Sequence, residues 1–112
     1  MYQKKDYIVN ENYGVCLVED ITKISVNSSN PVSYYVLKPV YDKSNKAYIP
    51  VEGHKVVLRD LMSQEEATVA LESLREKNMQ RSRLAELDDA DKRLAGEIAF
   101  VLKKDISEIL NQ

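Results

Sequence analysis

Residues 34–67 read YYVLKPVYDKSNKAYIPVEGHKVVLRDLMSQEEA, and the fold follows from how this stretch divides. Ala47, Ile49 and Val51 alternate with Lys46, Tyr48 and Pro50, the period of two of a strand with one buried face. Pro50 cannot donate a ladder hydrogen bond, so this strand belongs at a sheet edge or ends there. Residues 34–41 are apolar on both faces, which suits a central strand. Asp42-Lys43-Ser44-Asn45 between the two runs is turn chemistry, so they read as a hairpin. Glu52-Gly53-His54 forms a further turn, with His54 exposed, before the short run Val56-Val57-Leu58. Ser63 with Glu66 three positions on is a capping box, and Ala67, Ala70, Leu71 and Leu74 then share one helical face.

Upstream, the apolar phase shifts: Val15, Leu17 and Ile21 are odd-numbered, Ile24 and Val26 even. A bent or bulged strand near Glu19-Asp20 accounts for this. Asn27-Ser28-Ser29-Asn30-Pro31 is a polar loop. Five short antiparallel strands within residues 1–62 predict a small open barrel, Tudor-like or SH3-like. Residues 63–112 form a short C-terminal helical segment, giving an α+β chain. In that segment Asp88 or Asp89 caps a second helix, with Asp91 favourable near its positive end. The stripe Leu94, Ile98, Val101, Leu102, Ile106, Ile109 and Leu110 extends this helix to about twenty residues, against a usual eleven or twelve. A helical half this small has little core of its own, so the stripe can fold back within the chain or form a homodimer through these helices. Both alternatives stay open.

Apolar residues make up 44% and charged residues 30% of the 112, the balance of a globular rather than a disordered chain. Cys16 is the single cysteine and cannot form an internal disulfide, and the start leads into a β-like run rather than a signal peptide. The cytoplasm is the expected location. No apolar run approaches the roughly 20 residues needed to span a bilayer, so no membrane partner is expected. The net charge of −2 divides into +1 over residues 1–62 (eight cations, seven anions) and −3 over residues 63–112 (eight, eleven). Neither half is the broad basic surface that phosphate binding demands. One local basic patch stands out, Arg75, Lys77, Arg81 and Arg83, followed by the acidic block Glu86, Asp88, Asp89 and Asp91.

Nothing in the chain has the pattern of an enzyme. A general base or a metal ligand needs partners within reach, and His54 is the only histidine. Cys16 lies among Val15, Leu17 and Val18, the setting of a buried, inert thiol. There is no phosphate loop, no zinc spacing and no calcium-loop pattern, so no cofactor or metal is expected.

Three groups of residues carry a resemblance to a known family. Tyr34-Tyr35-Val36-Leu37-Lys38, then Tyr48-Ile49-Pro50-Val51, then Leu58-Arg59 before Met62-Ser63 follow one another as in the N-terminal domain of the CarD family. Asp6-Tyr7-Ile8-Val9, Tyr13-Gly14-Val15 and Val18-Glu19-Asp20-Ile21 look like the opening strands of that module, which also occurs in the transcription-repair coupling factor. The resemblance covers roughly residues 2–76, and residues 87–95 look like the family's last helix. It implies a transcriptional regulator that binds the RNA polymerase β subunit, partly by adding a strand to a sheet edge, and modulates transcription initiation. Here the edge candidates are Lys46, Tyr48 and Pro50. Ile24 and Tyr48 hold places where some members carry arginines, so an aromatic contact would replace a charged one. Longer members wedge a tryptophan into promoter DNA, whereas this chain has none. Its intervening helices also look shortened to a few residues. Contact with promoter DNA would then fall to Arg75, Lys77, Arg81 and Arg83, and is expected to be weak, shallow in salt dependence and sequence-tolerant. The rival reading is an adaptor that binds some other protein's strand and oligomerises through its helices.

Overall fold

The computed structural model describes residues 1–25, 30–42, 45–79 and 83–110. The loop residues Asn27, Ser28 and Ser29 and the turn residues Lys43 and Ser44 lie outside them. The chain divides into two compact units, Met1–Asp60 and Leu61–Gln112. The first is a five-stranded antiparallel sheet built from β1 (Tyr7–Asn10), β2 (Gly14–Ile24), β3 (Val32–Pro39), β4 (Ala47–Pro50) and β5 (Leu58–Asp60). The spatial order is β4-β3-β2-β1-β5, so β4 and β5 are the two edges. They are not paired with each other among the described residues, and the sheet is open rather than closed into a barrel.

The phase shift in β2 comes from the expected bulge, but the core parity is the reverse of the apolar pattern, which is odd at Val15 and Leu17 before it and even at Ile24 after it. Its register against β3 slips between Val18 and Asp20, leaving Glu19 as the extra residue of a bulge. Val18 faces the core before the bulge, and Ile21, opposite the buried Tyr35, faces it afterwards. One inserted residue therefore converts even-numbered core positions into odd-numbered ones. That core is Ile8, Cys16, Val18, Tyr35, Leu37, Ala47 and Ile49, with Tyr2, Ile21, Val51, Val56 and Leu58 packed against it. The Tyr35 hydroxyl accepts a hydrogen bond from the Tyr2 amide at 3.1 Å, so the buried ring keeps a partner for its polar end. The Cys16 side chain is fully buried and its thiol is pushed up to about 12 by desolvation. His54 departs from the exposed position expected: it is half-buried, with Nδ1 2.9 Å from the Val56 carbonyl oxygen. The last strand also begins later than the apolar run suggested, at Leu58 rather than Val56.

The second unit contains α1 (Gln64–Lys77) and α2 (Asp89–Leu102). Ser63 Oγ accepts from the Glu66 amide while the Glu66 carboxylate accepts from the Ser63 amide, completing the capping box. Asp88 caps α2, accepting from the Asp91 amide at 2.8 Å. The expected twenty-residue second helix is corrected to 14 residues. Lys103 turns into the left-handed region (φ 58°), and the Lys104 amide donates to the Ala99 carbonyl at 2.9 Å. These are the marks of a Schellman ending. Ile106, Ile109 and Leu110 pack on the helices from a separate segment that includes one 3-10 turn, Ile106–Glu108. Apolar spacing therefore survived across a break in the backbone.

The expectation that this half has little core of its own is also corrected. Leu71, Leu74, Leu87, Ala95, Ile98, Ala99 and Ile109 are buried together, with Met62, Leu84, Leu94 and Leu102 among the half-buried residues around them. Glu97 is 2% exposed and accepts from the Met62 amide at 2.8 Å, holding the start of the unit against α2. No helix among the described residues is long and apolar enough to cross a membrane.

Candidate functional site

The hairpin that opened the sequence analysis ends the sheet, and among the described residues its outer strand pairs on one side only. β4 meets β3 in the register Tyr34↔Pro50, Tyr35↔Ile49, Val36↔Tyr48 and Leu37↔Ala47. Residues directly opposite each other share a face, and faces alternate along a strand. Ala47 and Ile49 therefore point into the core with Tyr35 and Leu37, while Tyr48 and Pro50 point outward with Tyr34 and Val36. The β2–β3 register extends this outer face by Asp20↔Val36, Thr22↔Tyr34 and Ile24↔Val32.

The outer face of the sheet thus has three rows: Asp20, Val36 and Tyr48; Thr22, Tyr34 and Pro50; Ile24 and Val32, with Val36 itself buried between its neighbours. Ile24, Tyr48 and Pro50, singled out separately in the sequence, share it. Tyr48 is 54% exposed and Val32 46%, whereas Ile24, Tyr34 and Pro50 are half-buried. A single exposed apolar side chain is ordinary, but a contiguous apolar face beside an unpaired strand is the usual mark of an interaction surface. A groove of about 370 Å³ lined by Met1, Pro31, Val32, Ser33, Val51 and Glu52 adjoins the row of Ile24 and Val32.

Lys46 is exposed at the start of β4, but its charge is already engaged. Its Nζ donates to Glu19 Oε1 at 2.7 Å. That hydrogen bond is the main reason the Glu19 carboxyl sits below its ordinary range and the Lys46 ammonium above its own. The bulge that shifts the core phase is thus also what supplies the acceptor for Lys46.

The basic patch of the helical unit is arranged differently. Arg75 is half-buried, and its Nε donates to the Ile109 carbonyl at 2.9 Å. Lys77 Nζ lies 3.1 Å from Asp91 Oδ2. The Asp91 carboxylate, buried at the start of α2, also accepts from Asn78 Nδ2 at 3.3 Å. Arg83 is exposed, directly before the 3-10 turn Leu84–Glu86. Arg81 lies outside the described residues. Two of the four cations are therefore held by acceptors of their own unit and do not form a free basic surface with Arg83.

Sequence reasoning missed Tyr34 and Val36 as members of the outer face, because residues 34–41 read as apolar on both sides, and Val32 because the strand begins before that run. The phase of Tyr48 against the hairpin turn was the signal that could have assigned them. Among the described residues no group of three histidine, cysteine, aspartate or glutamate side chains could hold a metal ion. The comparison with curated proteins returned no match. Residues 2–62, more than half of the chain, match the family model of the CarD-like/TRCF RID domain, an RNA-polymerase-interacting domain of protein-binding rather than catalytic type. The open-edged sheet with its apolar outer face is therefore the interaction domain of a chain that belongs to the CarD-like/TRCF RID family.

Proposed function

We propose that this chain is a CarD-like transcriptional regulator that docks on the β subunit of RNA polymerase through β4 and the outer sheet face, and so modulates transcription initiation. One observation carries the reading: the unpaired edge of β4 is continuous with a face on which Ile24, Val32, Tyr34, Tyr48 and Pro50 stand together. An added strand takes affinity from main-chain hydrogen bonds and specificity from side chains that alternate beside it. Tyr48, exposed at the open border of that face, is the anchor of choice, since tyrosine is enriched among the residues that dominate binding energy. The engaged Lys46–Glu19 pair favours a contact led by the aromatic rather than by charge.

Contact with promoter DNA is a minor part of this proposal. Arg75 and Lys77 have acceptors inside their own unit, so Arg83 with Arg81 would carry most of any phosphate contact. A homodimer likewise loses its motive, because the helical unit buries its stripe on a core of its own. Retention of the full-length chain on the isolated β-subunit lobe, with loss of the Tyr48→Asp variant, is the expected outcome. Failure of the wild-type chain to bind would favour the adaptor reading instead.

A further inference from the structure

The main-chain groups of β4 are not equivalent, and their orientation follows from the ladder. The Val51 amide donates to the Ser33 carbonyl at 2.9 Å, one step beyond the Tyr34↔Pro50 pair. In an antiparallel ladder, hydrogen-bonded and non-hydrogen-bonded pairs alternate. Val51, Ile49 and Ala47 therefore turn their main-chain groups toward β3, and Tyr48 and Pro50 turn theirs toward the open edge. Pro50 has no N–H, so it offers a carbonyl there and no donor. Within β4, Tyr48 is then the one residue that presents both a donor and an acceptor to an incoming strand.

We propose that Pro50 is a register stop for the docking strand: the partner is held on the Tyr48 main-chain pair, and its ladder cannot extend past position 50. This inference rests on the polymerase reading given above and specifies how that site selects its partner. A slip of one residue along β4 would present main-chain groups already bonded to β3, and a slip of two toward the C-terminus would meet the missing donor. The strand that fits carries an apolar side chain beside Tyr48, because that position continues the row of Val36 and Tyr48 on the outer face. Its charges can lie beyond either end, where Lys46 and Glu52 are exposed. A second copy of this chain fits less well. Two β4 strands centred on Tyr48 would set each Pro50 against the other copy's Lys46 and lose a hydrogen bond at both ends.

Hydrogen exchange resolved to single amides, on the full-length chain free and bound to core RNA polymerase, tests this. The Tyr48 amide is expected to slow by roughly fivefold or more on binding, the effect of gaining about one net main-chain hydrogen bond. The Ala47 and Ile49 amides, already bonded to β3, are expected to change little. In the Pro50→Ala variant the new amide at position 50 is expected to become protected in the complex, as the ladder runs on. A complex in which the Tyr48 amide exchanges as in the free chain overturns this inference and leaves the polymerase reading standing. So does a Pro50→Ala complex whose position-50 amide stays unprotected, since the partner's own length would then set the limit. Slow Tyr48 exchange in the free chain that depends on its concentration would assign the edge to a second copy. Absence of any complex overturns both readings.

Discussion

The two units of this chain treat their polar and charged groups in opposite ways. In the sheet unit, the main chain of β4 and the exposed ring of Tyr48 stand uncovered beside an apolar face. In the helical unit, cations that would suit a nucleic acid already have acceptors, Arg75 in the Ile109 carbonyl and Lys77, though itself exposed, in the buried Asp91. The sheet can leave its β4 border open, because its core of Ile8, Cys16, Val18, Tyr35, Leu37, Ala47 and Ile49 lies on the other face. A unit of two short helices has less apolar area to bury, and it uses Arg75, Lys77, Asn78 and Glu97 to fix its segments together. Basic residues in a sequence are therefore a poor guide to phosphate binding until their partners are known.

The contrast can be broken most severely at Ile98, fully buried in the helical core. Ile98→Ala is expected to cost about 2–5 kcal/mol in that unit. All seven tyrosines precede Met62, so the tyrosine band of the near-ultraviolet circular dichroism reports the sheet unit, and it should survive conditions that melt the helices. Simultaneous loss of both signals would show that the sheet depends on the helical core. Asp91→Ala sharpens the contrast from the other side. It removes an acceptor shared by Asn78 and Lys77, and is expected to lower stability by about 1–3 kcal/mol. DNA affinity in a shift assay should rise at the same time, as Lys77 is released; a fall would mean that Lys77 already serves DNA while paired.

A smaller effect is expected at Lys103. Its left-handed backbone costs a non-glycine residue about 1 kcal/mol, so Lys103→Gly should raise the stability of the helical unit by that amount in denaturant unfolding. Smallest is the behaviour of Cys16. Burial raises its folded-state value to about 12, so its contribution is complete below the ordinary thiol range and lost only as pH rises toward that value. The native chain should resist thiol-labelling reagents at mildly alkaline pH, with full reactivity appearing on unfolding. Ready labelling of the native sheet would mean that its core opens locally.

Much of this contrast was legible in residues whose reading depends on neighbours a few positions away. Ser63 with Glu66, the alternation around Tyr48, the phase change at Glu19 and the donor-less Pro50 each act locally, and each led to the observed element. The end of α2 was not legible. Ile106 and Ile109 keep helical spacing, and nothing in Lys103-Lys104-Asp105 has the glycine that usually marks such a stop. Glu97 was hidden for a related reason, since a glutamate within an amphipathic helix reads as solvent-facing until the Met62 amide is found beside it. The partners of Arg75 and Lys77 lie 34 and 14 residues away, beyond any local pattern. The outer face required the cross-strand register, which no single strand contains.

Equilibrium titration of core RNA polymerase with the full-length chain compares the two units directly, using one truncation in each. Tyr48→Ala is expected to weaken binding by roughly 30-fold, the loss of about 2 kcal/mol that follows removal of an interface anchor. Arg83→Ala, in the helical unit, is expected to change it by less than about twofold, as for an exposed charge. Equal binding by wild type and Tyr48→Ala, or a larger loss from Arg83→Ala, would contradict the account.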